Sequence, residues 1–444
     1  MALPAIILLV LILYARTWNY FNITDDKVRR EEYLWVLGGR VDPKFYLTKR
    51  TPMYTITNIG VFLACIGYMY LLFGWRAALL FAVFPLNVSG VAWATGNYYM
   101  TSCLFVLFSY WLVTLGIWGV AVSLLPCYVS MLSTVSAIPL AFVLPLVTQM
   151  AHNSPYLTLT SILGSLGTIL LFLLGKKFRH GLRVRKELHD DMGRKSAEFT
   201  WRKIFVVPKV IGYYIMLSFW PSRLGFFHDY CKSDGNMEAI EKPNNLFYIS
   251  CGLCVCFGVW AYSINPIMVW WWVLFIGIFS QFTTYGQFVC ERYTYIPNVA
   301  FCVLVATCLE AFPVPFWVLA TLWFYRTHIY IPAWKNNMTL YSSSLSGHPK
   351  SPENYNNLAC YYLDYDRFKE ALPPLLCALE FTQGDKSGIY KNLAKCYVQL
   401  YMYDRAIFFL NQAILTSPRK EVNKLNELKG KLEHEQLKQS RRYK

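Results

Sequence analysis

Long apolar runs occupy the first three quarters of the chain and decide what it can fold into. Runs of about 17 to 25 residues, the length that crosses a bilayer as a helix, recur up to residue 331. An isolated strand cannot satisfy its backbone polar groups in lipid, so each run is predicted to be a helix. Because the 444 residues are 55% hydrophobic and 17% aromatic, a multi-pass membrane protein is expected.

About eleven membrane spans are predicted from these runs. The first run has neither a basic leader nor a small-residue cleavage site, so a retained span is expected rather than a signal peptide. The stretch 119–150 contains several prolines, and a broken or re-entrant segment is expected there. The approximate boundaries are 2–15, 54–73, 77–93, 98–118, 129–149, 157–175, 204–220, 246–263, 267–283, 297–312 and 314–331.

Positive charge is concentrated in two blocks. The formal net charge is +16, and the dense basic segments are 176–203 and 431–444. The first block fits a cytoplasmic loop under the positive-inside rule, so no nucleic-acid partner is predicted. With 176–203 in the cytoplasm, the loops 16–53, 221–245 and 284–297 and the chain after Pro332 face the periplasm or a lumen. The predicted location is therefore a bacterial inner membrane or the endoplasmic reticulum membrane.

Cysteines give no prediction of a metal site. Cys251, Cys254 and Cys256 lie inside a predicted span. Apolar packing explains thiols in such a position better than metal binding does. No metal and no cofactor is assigned from the sequence, and metal dependence stays open.

The composition changes near Trp334, and the remaining chain repeats itself. Aligning Ala371 with Ala406 gives a shift of 35 residues. Small residues and aromatics then coincide in the pattern of tetratricopeptide repeats, which are paired helices. We therefore predict a membrane domain over 1–333, followed over 334–444 by a short α-solenoid with a C-terminal capping helix. The coinciding pairs are Tyr355 and Tyr390, Leu358 and Leu393, Ala359 and Ala394, Tyr362 and Tyr397, and Ala378 and Ala413.

An acidic pair follows the first predicted span. Asp25 and Asp26 come directly after Thr24, a good N-cap residue, at the start of a predicted surface helix. The helix dipole favours their ionised form, as a catalytic base requires. Simple stabilisation of the helix start is the alternative interpretation, and spacing alone leaves both open.

Basic and aromatic residues recur on the predicted outer side. Arg292 stands beside Tyr293 and close to Tyr295 between two spans. An arginine there can bind a phosphate through its forked donors, whereas tyrosines in such positions are also ordinary interface anchors. Lys49 and Arg50 form a second basic pair on the same side.

The segment 84–97, which contains Trp93 and Asn97, predicts a turn between two spans. Proline and two glycines interrupt its apolar residues. By itself this pattern indicates a hairpin and no chemistry.

Together, in chain order, these segments resemble the transmembrane and tetratricopeptide-repeat O-mannosyltransferases and their bacterial relatives in the glycosyltransferase C superfamily. The resemblance covers almost the whole chain. It rests on the Asp25–Asp26 pair, Lys49 to Pro52, Leu79 to Pro85 running into Val91 to Trp93, Trp220 with Pro221, Glu291 to Pro297, and the repeats.

The resemblance implies transfer of a sugar from a polyprenyl-phosphate donor to a hydroxyl of an extracytoplasmic protein acceptor, with inversion at the anomeric carbon. Asp25 and Asp26 would supply the catalytic base, and the repeats would bind the acceptor. Arg292, Lys49 and Arg50 would hold the donor phosphate. The donor or acceptor pocket would include Tyr293, Tyr295, Trp93 and Asn97.

The chain also departs from the family pattern. Relatives usually carry His at the position of Phe84, Glu ahead of the Val-Ala-Trp segment where Ser89 and Gly90 stand here, and Arg at Asn97. The sugar is therefore not assigned, although mannose is the family's. The alternatives are a non-catalytic membrane scaffold that binds partners through its repeats, and a flippase or polymerase of lipid-linked sugars.

Overall fold

The computed structural model describes residues 2–20, 23, 52–175, 201–229, 242–281, 289–382, 386–417 and 419–442. Within these ranges every regular element is a helix, which confirms the all-α prediction. The chain divides into two compact units. The N-terminal unit comprises Met1–Val184, Phe199–Leu224 and Glu241–Asn336, and the C-terminal unit comprises Arg185–Glu198, Gly225–Ile240 and Asn337–Lys444.

Twelve α-helices of the N-terminal unit lie in the described ranges. They are α1 (Ala2–Tyr14), α2 (Pro52–Val83), α3 (Val88–Ala92), α4 (Asn97–Val113), α5 (Ile117–Ser133), α6 (Leu140–His152), α7 (Pro155–Leu174), α8 (Val206–Phe219), α9 (Asn245–Ile264), α10 (Pro266–Gly277), α11 (Pro297–Cys308) and α12 (Pro313–Tyr330).

Five helical stretches in the described chain are long and apolar enough to cross a membrane. The shorter apolar helices α5, α10 and α11 accompany them. A chain with several such helices fits the expectation of a membrane protein. The five stretches are Ala2–Asn19, Tyr54–Val83, Val135–His152, Pro155–Leu174 and Asn245–Ile264.

The predicted span 77–93 differs from the structure. Helix α2 is interrupted at Gly74, whose φ of 81° is left-handed, and its second part ends at Val83. The chain then runs through short turns to α4, and every residue from 77 to 94 is buried. The apolar run therefore lies inside the unit instead of facing lipid. Irregular backbone is stable at membrane depth when protein surrounds it.

The stretch 119–150 is divided between two helices, as its prolines suggested. Helix α5 ends at Ser133, and α6 begins at Leu140. Between them the hydroxyl of Thr134 accepts a hydrogen bond from the backbone N–H of Ser136. The single span predicted over 129–149 thus crosses this break.

Two side chains hold the buried segment 84–96 and the end of α2 in place. The amide of Asn58 donates to the carbonyls of Val91 and Trp93, at 3.2 and 2.8 Å. The Thr327 hydroxyl donates to the Val83 carbonyl at 2.7 Å. These bonds satisfy backbone acceptors that a regular helix would have paired internally.

In the described residues, the C-terminal unit has six helices: α13 (Asn337–Gly347), α14 (Pro352–Asp364), α15 (Phe368–Phe381), α16 (Ser387–Gln399), α17 (Tyr403–Thr416) and α18 (Arg419–Arg442). The pair α16 and α17 repeats the bounds of α14 and α15 at a shift of 35 residues. Three pairs of alanines that align at this shift are buried in one hydrophobic core: Ala359 with Ala394, Ala371 with Ala406, and Ala378 with Ala413.

Gly96 supports the first test of this packing. A Cβ atom there would lie 2.6 Å from the Ser89 carbonyl oxygen, which is fixed backbone. We expect Gly96→Ala to destabilise the protein by about 1–3 kcal/mol, because overpacking forces the backbone to shift. The measurement is the thermal denaturation midpoint in detergent micelles.

Gly67→Ala in α2 is the matched control, since nothing lies within 4 Å of its added methyl group. Its midpoint should equal or exceed the parent's, because alanine favours a helix interior. Equal midpoints for Gly96→Ala and the parent would contradict the close approach.

Candidate functional site

A candidate site forms where two irregular segments of the N-terminal unit carry Trp93 and Arg292. The first is the buried segment 84–96. The second is the 3₁₀ turn Glu291–Thr294, which directly precedes α11. The first segment is joined to α11, which follows the turn, by the amide of Asn298, which donates to the side-chain oxygen of Asn87 at 2.8 Å. Both asparagines are fully buried, so this bond fixes the register of the two segments.

Arg292 lies against two aromatic rings. Its guanidinium carbon is 5.5 Å from the centre of the Trp93 ring and 5.4 Å from that of Tyr293. Tyr293 in turn stacks on Phe279, with ring centres 4.1 Å apart. Aromatic faces attract a cation and leave the guanidinium edge able to make paired hydrogen bonds.

A small cleft opens beside Arg292. Aromatic and aliphatic side chains make most of its wall, and Tyr99 and Ser136 bring hydroxyl groups. The lining residues are Tyr99, Ser136, Phe275, Phe279, Arg292, Tyr293, Ile296 and Pro297. The cleft thus combines one cation with mostly apolar walls and a few hydroxyls.

Backbone contacts hold the turn that carries Arg292. The Cys290 N–H donates to the hydroxyl of Tyr214 on α8, at 3.1 Å. The Trp271 indole on α10 donates to the Ile296 carbonyl at 3.0 Å. Burial raises the pKa of the Cys290 thiol, and the nearby Arg292 charge offsets this in part, so the thiol stays neutral at neutral pH.

Glu291 contributes a buried carboxylate next to Arg292 in the chain. It is 1% exposed, and its Oε2 accepts a hydrogen bond from the Tyr330 hydroxyl at 3.0 Å. The Tyr330 ring meets Trp334 edge to face, and Trp334 lies 6.3 Å from Trp93 between ring centres. The turn is therefore connected through aromatic rings to the end of α12.

The start of the first predicted outer loop lies at the same end of the unit. The 3₁₀ turn Ala15–Asn19, which follows α1, contacts the turn Ile331–Lys335 that contains Trp334. Arg16, which lies in the turn Ala15–Asn19, donates to a ring nitrogen of His328 at 2.8 Å. The chain thus enters the loop that bears the acidic pair from the end of the unit where Trp334 and Trp93 lie.

The structure brings together some of the predicted site residues. Trp93, Arg292 and Tyr293 are in contact. Tyr295 instead points into the interior, fully buried against Phe81. The predicted site residues Asp25, Asp26, Lys49 and Arg50 lie outside the described residues.

Asn97 stands apart from the cleft. It is the first residue of α4 and accepts a hydrogen bond from the Thr101 hydroxyl. It is not among the cleft's lining residues.

Several residues of the site were missed in the sequence. The cleft wall includes Tyr99 and Ser136, which come from elements far apart in the chain. The Glu291–Tyr330 bond joins residues 39 positions apart. The sequence did hold one signal for Glu291, which is a carboxylate among apolar residues. Such a group predicts a buried polar partner. Among the described residues, no group of three or more His, Cys, Asp or Glu side chains could hold a metal ion.

Comparisons with protein-family models, curated proteins and solved structures found no match to this chain.

Tyr330→Phe tests the support of the turn. Loss of the hydroxyl removes a donor from the buried Glu291 carboxylate, which costs about 1–3 kcal/mol. We expect a lower thermal denaturation midpoint in detergent. Tyr325→Phe, on the same helix but 62% exposed, removes the same atom and should leave the midpoint unchanged. Equal midpoints for the two variants would show that the Glu291 bond does not stabilise the unit.

Proposed function

We propose that the protein is a membrane glycosyltransferase that moves a sugar from a polyprenyl-phosphate donor to a hydroxyl of an extracytoplasmic acceptor. The observation that carries the proposal is the placement of Arg292. A half-buried guanidinium lies between the Trp93 and Tyr293 rings, beside a largely apolar cleft. A lipid phosphate needs such a combination of a fixed cation and an apolar wall.

In the proposed reaction the acceptor hydroxyl attacks the anomeric carbon in a single displacement. Asp25 takes the hydroxyl proton as the new C–O bond forms, with Asp26 beside it. The bond between the anomeric carbon and the donor oxygen breaks, and its electron pair leaves with the polyprenyl phosphate. Arg292 stabilises the released phosphate, assisted by Lys49 and Arg50. Inversion at the anomeric carbon follows.

The position of the first loop supports pairing the acids with Arg292. Ala15–Asn19 contacts Ile331–Lys335, whose Trp334 neighbours Trp93. Asp25 follows Asn19 by six positions. Such a connection is short enough to bring the carboxylate to the same end of the unit, since an extended chain spans about 3.3–3.6 Å per residue.

The C-terminal unit supports the second half of the proposal. Two helix pairs recur at 35 residues with small residues at their contacts, which favours a tetratricopeptide-repeat solenoid. We assign it the binding of a protein acceptor, because stacked helix pairs offer an extended binding face. The unit and the Arg292 turn are proposed to face the periplasm or lumen, with about eleven spans in the membrane.

Arg292 variants test the phosphate assignment. Arg292→Ala should nearly abolish donor binding, because a charge-assisted contact of this kind contributes on the order of 2 kcal/mol or more. Arg292→Lys keeps the charge without the paired donors and should weaken binding less. The measurement is binding of a labelled polyprenyl-phosphate sugar to purified protein in nanodiscs.

Arg76→Ala is the matched control. Arg76 also lies over aromatic rings of the N-terminal unit, 5.1 Å from the centre of Trp75, and pairs with Glu310. It does not line the cleft, so donor binding should persist. Parental donor binding by Arg292→Ala would refute the phosphate assignment.

The catalytic assignment rests on Asp25. Asp25→Asn keeps the side-chain size and removes the proton acceptor, so turnover should fall by ~10²–10⁴-fold while donor binding persists. Asp26→Asn should cause a smaller loss, through orientation or acceptor contact. Glycan transfer is followed by mass spectrometry of co-purified acceptor proteins. Near-normal transfer by both single variants and the double variant would contradict a catalytic base at this acidic pair. It would favour the non-catalytic scaffold instead.

A further inference from the structure

A short segment between α8 and α9 belongs to the C-terminal unit. Residues Gly225–Asp229, here called the strap, follow the N-terminal unit's Leu224 in the chain but fold with α13 and α14. The Phe226 N–H donates to the Ser344 hydroxyl at 2.8 Å. The Asn354 amide donates to the Phe227 carbonyl at 2.8 Å. The contact joins residues more than 100 positions apart, so it is a true tertiary interface.

Two buried histidines meet at the centre of this interface. The rings of His228 on the strap and His348 after α13 have centres 4.2 Å apart, and both are at most 3% exposed. Gly225 allows their approach, since a Cβ there would lie 2.8 Å from the His348 ring. His348 Nδ1 donates to the Asp229 carboxylate at 3.0 Å.

Asp229 receives a second bond from the same turn. The Lys350 backbone N–H donates to its other carboxylate oxygen at 3.2 Å. Burial raises the pKa of Asp229, but the bonds from His348 and Lys350 outweigh it and leave the pKa below its usual value. The strap therefore carries an ionised carboxylate with paired donors at neutral and mildly acidic pH.

Among the described residues, few charged side chains lie on the elements packed against His228. The titratable side chains on the elements packed against it are Asp229 on the strap, Tyr341 on α13, His348 and Lys350 in the turn, and Glu353 at the start of α14. A proton on His228 would create a charge in a buried position against another imidazole.

We propose that the strap is an acid-released catch, in which the close contact of His228 with His348 holds the strap against α13 and α14 at neutral pH and lets it go on acidification. Four hydrogen bonds and one ring contact hold the strap on α13, α14 and the turn between them, and we expect the strap to open as one element. Protonation of one buried ring biases it toward the released state.

The pH window follows from His228. Burial lowers its pKa from 6.5 to about 4 while the strap is bound, despite opposing effects of the Gly225 backbone and of Asp229. A released His228 regains the ordinary value. Above about pH 6.5, neutral His228 therefore makes its full contribution to the stability of the bound strap. This contribution is lost as the pH falls toward about 4. Between pH 7 and pH 5 the preference for the bound strap falls about 20-fold.

Hydrogen exchange of the full chain in nanodiscs measures the catch. The reporter is the Phe226 amide, which is protected by Ser344. Protection factors are taken at pH 7 and pH 5 after correction for intrinsic exchange. From pH 7 to pH 5 we expect the protection factor of the parent to fall about 20-fold more than that of His228→Phe. This variant keeps an aromatic ring and cannot titrate. His348 and Asp229 remain in both proteins, so the difference isolates His228.

Two further variants separate the switch from simple weakening. Ser344→Ala removes the acceptor of the Phe226 N–H and should lower protection at both pH values while keeping the parent's pH dependence. His228→Gln is a second variant that cannot titrate and should lose the pH dependence, as His228→Phe does. The same ratio of protection at pH 7 and pH 5 in the parent and in either His228 variant would overturn the proposal.

Discussion

The N-terminal unit depends on keeping an irregular stretch of backbone away from lipid. Residues 84–96 form only short 3₁₀ turns and the five-residue helix α3, so several of the peptide groups there need partners from elsewhere. Asn58, Asn87 and Thr327 provide bonds from the unit's own helices and turns. In water a missing partner would be replaced by solvent, whereas in this apolar interior each missing bond is a direct loss. The Trp93 segment can therefore keep its irregular backbone because polar side chains inside the unit pair with its peptide groups.

The same constraint makes a rigid place for a cation. The turn before α11 is fixed by Tyr214, Trp271 and Tyr330, each from a different helix. Arg292 consequently has little freedom to move away from Trp93 and Tyr293. Preorganisation of this kind matters for a phosphate site, since a charge already in place loses little entropy when the ligand arrives.

The sequence predicted the helices well because apolar runs and helical repeats are local signals. The runs at 157–175 and 246–263 match α7 and α9 closely. The 35-residue shift predicts a repeated element, and both members of each helix pair recur at that spacing. The run 77–93 was placed as a span because composition is the same for a helix facing lipid and a segment surrounded by protein. Its true position depends on Gly74 and on distant partners.

The site was partly predictable for a related reason. Arg292 and Trp93 stood out as a cation and an aromatic residue at the predicted outer face. The Asn87–Asn298 bond that joins the Trp93 segment to α11, however, connects residues 211 positions apart. The close contact of the His228 and His348 rings likewise joins residues whose neighbours in the chain give no hint of each other. Long-range pairs of this kind satisfy buried polar groups, and such pairs are set by the fold as a whole.

The two histidines and the arginine illustrate opposite solutions to burying a basic group. Arg292 stays charged, because its guanidinium is weakly hydrated and finds aromatic faces nearby. His228 gives up its proton instead, since imidazole can be buried as a neutral ring. A permanent positive charge can hold an anion at any physiological pH. A side chain that gains or loses its proton can instead open a contact when the pH changes. The chemistry of each side chain therefore separates a proposed binding site from a proposed switch within one chain.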